Sequence, residues 1–254
     1  MILAFVVVGL LIGSFLNVVI ARVPAGRSLW RPGSACPGCG AAIAWHDNIP
    51  IVSFLALRGR CRACSMPIPW RYPIVEAVTG ALFGAAALAF GPTLHAVVAA
   101  ALLAALVAIT VIDLERQIIP DVISLPGILA GFLANLATGR VSWVDSLLGI
   151  ALGGGVFVAI ALIGSWLAGQ DAMGGGDIKL AAMLGAFLGW KVLFFTLFLS
   201  AVGGGILAAA LMGFGLRGRK DPLPFGPFLA AGGAIGLFWG ERMVRWYLSA
   251  FGGS

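Results

Sequence analysis

Eight apolar stretches, beginning near residues 1, 74, 94, 122, 145, 178, 192 and 224, constrain this chain more than any other feature. Each runs for about 20 residues, the length an α-helix needs to cross the hydrocarbon core of a bilayer, although the one over 178–190 is shorter. Inside lipid every backbone N–H and C=O must be satisfied within the segment or a closed barrel, and continuous apolar runs of this length read as helices. The expected fold is therefore an all-α polytopic membrane protein with about eight transmembrane helices. Composition agrees: 61% of residues are hydrophobic and 10% charged, against roughly a quarter charged in soluble domains. Met1 to Ile20 lacks the basic start and small-residue cleavage site of a secretory signal and is read as a retained first helix. The expected organisation is a first transmembrane helix over 1–20, a polar insertion over 21–73 and a membrane domain over 74–254.

Lysine and arginine give an orientation. Arg22, Arg27, Arg31, Arg58, Arg60, Arg62 and Arg71 all fall in the insertion between the first two spans. Placing that insertion in the cytoplasm also puts Arg116, Lys179, Arg217, Arg219 and Lys220 inside, and leaves Arg140, Lys191, Arg242 and Arg245 outside. That asymmetry follows the positive-inside rule. The net charge of +6 is thus a topology signal. A nucleic-acid partner is excluded from the reading, because no basic stripe with interleaved aromatics is present.

The insertion holds all four cysteines, as Cys36-Pro37-Gly38-Cys39 and Cys61-Arg62-Ala63-Cys64. Two C-x2-C knuckles about 20 residues apart have zinc-ribbon spacing, each offering two thiolates from a tight turn. A pair of disulfides is the alternative, and a cytoplasmic location argues against it because the cytosol keeps thiols reduced. A closed four-thiolate shell leaves no open coordination position, so such a zinc would be structural. His46 and Asp47 are spare ligands or acid–base groups on one reading and turn or capping residues on the plainer one. No glycine-rich dinucleotide fingerprint accompanies them.

Two aspartates carry the chemical interest. Asp113 ends the apolar run over 102–112, and Asp177 closes Met173-Gly174-Gly175-Gly176-Asp177. A carboxylate at membrane depth is costly and is a functional-site hypothesis by default. Two of them brought together are the raw material of acid–base catalysis. Helix capping is the competing account, and for Asp121, just after Pro120, it is the preferred one. Gly174 to Gly176 would permit unusual dihedrals and close approach of another backbone. The triplets Gly153 to Gly155 and Gly203 to Gly205 fall inside apolar runs, where they would allow close helix packing.

The ordered motifs resemble those of bacterial type IV prepilin peptidases, the GxGD intramembrane aspartyl proteases of pilus and type II secretion systems. The matching residues are Gly13-Ser14-Phe15-Leu16-Asn17-Val18 with Arg22 and Pro24; both knuckles; Asp47-Asn48-Ile49-Pro50; and Arg71-Tyr72-Pro73 with Glu76. They continue through Ile112-Asp113 and Ile119-Pro120-Asp121, Gly174-x-Gly176-Asp177 with Lys179-Leu180, and Pro224-Phe225-Gly226-Pro227. The resemblance implies that Asp113 and Asp177 are the catalytic pair and that the substrate is a prepilin or pseudopilin. Such a substrate has a basic cytosolic leader, cleaved after a glycine, ahead of a hydrophobic helix. Glu115, Asp121 and Asp171 are candidate partners for that leader. The resemblance also implies that the insertion is a methyl-transfer module using S-adenosylmethionine on the new N-terminal amine, with Gly59 aligned to a glycine the family associates with methylation. The implied location is the bacterial inner membrane, in contact with lipid, with module and active site toward the cytoplasm. Where family members often carry tyrosine before Asp-Asn-Ile-Pro, this chain has His46.

Two other readings make different predictions. A peptidase whose zinc module is only a scaffold would leave the processed N-terminus unmethylated. A proton- or ion-coupled transporter using the two aspartates would show gradient-driven flux and no cleavage, and the inverted repeats common in transporters are not evident. The sequence carries no signal for oligomeric state, for the cognate pilin or for which aspartate is the general base.

Overall fold

In the computed structural model, residues 1–168, 174–216 and 223–251 are described. The described residues form helices and turns with no named strand: α1 (Ile2–Arg22), α2 (Val52–Ala56), α3 (Arg71–Phe90), α4 (Leu94–Arg116), α5 (Asp121–Thr138), α6 (Trp143–Ala168), α7 (Gly175–Gly213) and α8 (Gly226–Phe251). Six of them, α1 and α3 to α7, are long and apolar enough to cross a membrane. The chain divides into two compact units, Met1–Ala108 and Ile109–Ser254.

The first unit is built on an antiparallel pair, α1 and α3. Gly9 and Gly13 on α1, and Gly80 and Gly84 on α3, form two G-x-x-x-G steps that face the partner helix. A Cβ at Gly13 would lie 2.7 Å from Glu76 Cα, and one at Gly80 would lie 2.8 Å from Leu10 Cδ2. Lipid tails are as apolar as leucine, so helices in a bilayer associate through such close backbone packing rather than through a hydrophobic drive. Asn17, 3% exposed, donates to the Tyr72 carbonyl at 3.2 Å and adds a polar tie.

Between these helices lies the insertion. Arg22 opens it by donating to the carbonyls of Ser28, Leu29 and Gly33. Its two knuckles repeat one hydrogen-bond pattern. In the first, Cys36 N–H donates to Ala41 and Gly40 N–H to Cys36; in the second, Cys61 N–H donates to Met66 and Ser65 N–H to Cys61. Gly40 and Ser65 occupy the matching left-handed position, at φ 71° and 58°.

The second unit surrounds the first arm of α7. At 39 residues a straight α7 would be about 58 Å long, roughly twice the hydrocarbon thickness. It is not straight, because Gly189 takes φ 73°, ψ 164°. Packing shows a full reversal there: along α8, Gly233 and Gly236 meet Leu184 and Leu188 in parallel order, whereas Gly232 meets Ser200 and Gly240 meets Val192 in antiparallel order. So α7 is a hairpin of two arms, which accounts for the separate apolar stretches expected from 178 and 192. The first arm, at about 21 Å, is short for a span, and α5, α6 and α8 pack around it, with Leu180, Met183, Leu184 and Ala186 fully buried.

The break at Gly189 frees carbonyls that a continuous helix would have used. A buried backbone acceptor without a donor is costly. Asn135 Nδ2 donates to Ala186 and Phe187 at 2.7 and 3.2 Å, and Ser146 Oγ donates to Ala186 at 2.7 Å. Trp190 Nε1 donates to Asp145 just beyond the turn. The tightest helix contact is Gly149 against Gly185, where a Cβ on either residue would overlap the other's backbone. Of the glycine triplets, Gly153 lies against Ala181 in this way, a Cβ on Gly204 would lie 3.5 Å from the Phe225 and Phe228 rings, and Gly155 and Gly205 face open space. Close packing therefore rests on Gly149, Gly153 and Gly185 rather than on two whole triplets.

Candidate active site and metal centre

Asp113 lies in the last turn of α4 and is 5% exposed. Its Oδ2 accepts the Gly226 N–H at 2.9 Å, so the carboxylate sits at the start of α8. This end of a helix carries unsatisfied N–H groups and partial positive charge, which favour an anion. A Cβ at Gly226 would lie 2.6 Å from Asp113 Oδ2. Gly226 entered the sequence reading only as part of the motif Pro224-Phe225-Gly226-Pro227, with no role attached, and the structure sets it beside Asp113.

Asp177 is partly exposed in the first turn of α7, where Gly174 is the N-cap and no side chain caps the helix. The parallel register of the first arm with α8, which pairs 184 with 233, extrapolates Asp177 to the level of Gly226. The two carboxylates lie close enough for the charge on one to act on the other. A second link runs between their motifs: a Cβ at Gly176 would lie 2.8 Å from Ile119 Cβ, and Lys179 Nζ pairs with Asp121 at 2.7 Å.

These contacts correct three expectations. Asp121 does not cap α5, whose N-cap is Pro120, and its carboxylate pairs instead with Lys179. Asp177 does not cap α7 with its side chain. Gly174 to Gly176 use no unusual dihedrals, since Gly174 is extended at φ −72°, ψ 137° and the next two are helical; close approach is realised at Gly176, by this chain's own Ile119. Asp171, Arg217, Arg219 and Lys220 lie outside the described residues.

In the first unit the four cysteine sulfurs lie within 4.8 Å of one another, with Cys36 and Cys64 3.7 Å apart. Four thiolates about 2.3 Å from a tetrahedral zinc would be separated by about 3.8 Å, so the donor set fits that ion. Backbone N–H groups of Cys39 and Gly38 lower the Cys36 thiol to about 6. Cys64 is pushed up to about 12: an N–H from Met66 favours its thiolate, but desolvation and the thiols of Cys39, Cys36 and Cys61 outweigh it. One thiolate in the cluster thus opposes the next, and a bound dication removes that opposition. Asp47 braces the second knuckle, accepting from Arg62 Nη2 at 2.6 Å and Nε at 2.9 Å, and His46 Nε2 stands 3.7 Å from it. Both residues lie in the short helical turn Trp45–Asn48, which neither caps with its side chain.

Gly59 has φ 67° and follows Arg58 at φ 52°. It borders a cavity of about 560 Å³ lined by Phe54, Leu55, Arg58, Pro67 and Trp70 among others. The Phe54 and Trp70 rings are 5.0 Å apart, and a Cβ on Gly59 would lie 3.1 Å from Phe54 Cζ. The size is in the range of small-molecule sites.

Helices able to span a membrane, two acidic residues at helix ends and an insertion whose four cysteines could hold a metal ion together mark a class of polytopic membrane protein. Residues 7–90 match the model of the bacterial peptidase A24 N-terminal domain, and residues 100–209 match that of the type IV leader peptidase family. The chain is 40% identical to a prepilin leader peptidase/N-methyltransferase of Aeromonas hydrophila, over 95% of this chain and 92% of that protein. It is 38% identical to one of Pseudomonas aeruginosa, over 99% and 94%, and 40% identical to one of Burkholderia pseudomallei, over 94% and 85%. No solved structure matches it significantly. The protein belongs to the type IV leader peptidase family and is a multi-pass membrane protein.

Proposed function

We propose that this protein cleaves the basic leader of type IV prepilins or pseudopilins as an intramembrane aspartyl endopeptidase, and methylates the N-terminal amine so exposed. What supports the peptidase half is that Asp113 accepts the Gly226 N–H at the start of α8, while the packing register of α7 on α8 brings Asp177, 64 residues on in the chain, to the same level. Two such carboxylates share a proton and titrate as a pair. The ionised member takes a proton from water as the oxygen attacks the scissile carbonyl. The protonated member hydrogen-bonds the carbonyl oxygen, and the tetrahedral intermediate collapses as the leaving amine gains a proton. The Gly226 N–H holds Asp113 in place throughout. The charge distribution supports a site and module facing the cytoplasm from the inner membrane, where a membrane-anchored substrate presents its leader.

For the second half, Cys36, Cys39, Cys61 and Cys64 hold a structural zinc that orders the insertion, as small loop-rich modules require. The cavity beside Gly59 is the methyl-donor site. S-adenosylmethionine, when bound, supplies an electrophilic methyl group. Phe54 and Trp70 offer aromatic faces for a purine and a cation, Arg58 a partner for a carboxylate, and Gly59 a left-handed turn that keeps the wall open. The test is cleavage of a purified prepilin in detergent, followed by mass spectrometry of the new N-terminus. Asp113→Asn and Asp177→Asn should each abolish cleavage while the protein still inserts; substantial cleavage by either variant sinks the dyad. An N-terminus processed without an added 14 Da methyl mass (roughly that of CH2) favours the scaffold reading of the module.

A further inference from the structure

Glu76 takes no part in either the aspartate pair or the cysteine cluster, yet it meets an unusual turn at Pro50–Ile51–Val52, just after Asp47-Asn48-Ile49. Ile51 has φ 60°, ψ −47°, and the Val52 N–H donates to the Pro50 carbonyl at 2.6 Å. This is a three-residue γ-turn of the positive-φ kind, which is rare and strained. A β-branched residue fits it poorly. The contact that holds it comes from outside the turn: the Ile51 N–H donates to Glu76 Oε2 at 2.8 Å. Glu76 is 7% exposed on α3, and its Cα is fixed against Gly13 at a close point of the α1–α3 pair.

The turn decides where one wall of the Gly59 cavity stands. Ile51 is the N-cap of α2, so its dihedrals set the direction in which α2 leaves the membrane helices. α2 carries Phe54 and Leu55, on one side of the cavity; Pro67 to Trp70, on the other, run directly into α3 and so to Glu76. One hydrogen bond therefore ties both walls to the same helix. A donor left without an acceptor away from water is costly, so the Ile51 N–H, turned out of the α2 hydrogen-bond ladder, depends on the Glu76 side-chain oxygen.

We propose that Glu76 is a positioning residue for methyl transfer, holding the Ile51 turn so that Phe54 and Trp70 stand at the spacing the donor requires. The proposal rests on the cavity being the donor site. Strain at a turn lowers the fraction of molecules in the binding-competent arrangement once its support is removed, and apparent affinity falls by that fraction. Glycine adopts positive φ without that penalty.

The test is binding of S-adenosylhomocysteine to the full-length protein in detergent by calorimetry, with zinc content measured for every variant. Glu76→Ala should weaken binding about tenfold or more. Glu76→Gln, which keeps an acceptor oxygen, should retain most of the affinity. Adding Ile51→Gly to Glu76→Ala should restore binding to within about threefold of wild type. Wild-type affinity in Glu76→Ala would overturn the proposal, as would a loss that Ile51→Gly does not recover at full zinc content. Absence of binding by the unaltered protein would instead refute the donor-site reading on which the proposal stands.

Discussion

Gly226→Ala is the most incisive substitution the geometry suggests. The new Cβ would lie 2.6 Å from Asp113 Oδ2 and 3.1 Å from its Cγ. Ordinary contact begins near 3.4 Å, so the carboxylate must withdraw by roughly 0.8 Å, and a displacement on the order of 1 Å at a reacting group can lower the rate about 100-fold. The 2.9 Å bond from the Gly226 N–H stretches at the same time, and a buried polar group that loses its partner is destabilised by about 1–3 kcal/mol. Both routes give a kcat/KM for leader cleavage about 100-fold below wild type, or about 2.7 kcal/mol in the barrier. The assay is initial-rate cleavage of a prepilin by detergent-purified enzyme. Gly155→Ala serves as control, because a Cβ there meets open space. If Gly226→Ala cleaves within about threefold of wild type while Asp113→Asn is inactive, the view that α8 sets the position of Asp113 is wrong.

Three further outcomes follow from the packing and the cysteine cluster. Elemental analysis should find about one zinc per chain, and replacing Cys36 and Cys61 by serine should remove it; metal-free, fully folded wild-type protein would overturn this. Gly185→Ala should lower stability by about 1–3 kcal/mol or more through overlap with the Gly149 backbone, read as earlier thermal unfolding in detergent, with Gly155→Ala unchanged. Asn135→Ala takes one of two side-chain donors from the Ala186 carbonyl and the bond to Phe187. A loss of about 1–3 kcal/mol is expected, and a thermal midpoint equal to wild type would show that the Gly189 turn needs no such support.

Much of the site was legible because it rests on residue types that chemistry restricts. Four cysteines in two knuckles can be read without coordinates, and the structure brings all four sulfurs together. Asp113 and Asp177 stood out because carboxylates beside long apolar runs demand a reason. Gly226 was named within its motif but without a role, since a glycine says nothing of the residue its missing Cβ makes room for. Asp121 looked like a cap because capping is a local pattern; its ion pair with Lys179 joins positions 58 apart and has no local signature.

By itself the sequence determined the class of fold, since bilayer thickness turns a run of about 20 apolar residues into a helix whatever surrounds it. It also marked the four cysteines of the insertion as a candidate metal site, because thiolate spacing within a knuckle is local. Only the tertiary structure decided that the reversal between the stretches from 178 and 192 is made by Gly189 inside one helix, that Asn135 and Ser146 satisfy the carbonyls this frees, and that α8 presents the Gly226 N–H to Asp113. It alone revealed the Ile51 turn held by Glu76. Each of these is a contact between distant segments, set by which small residues let two backbones approach, and helical periodicity within one segment does not encode its partner.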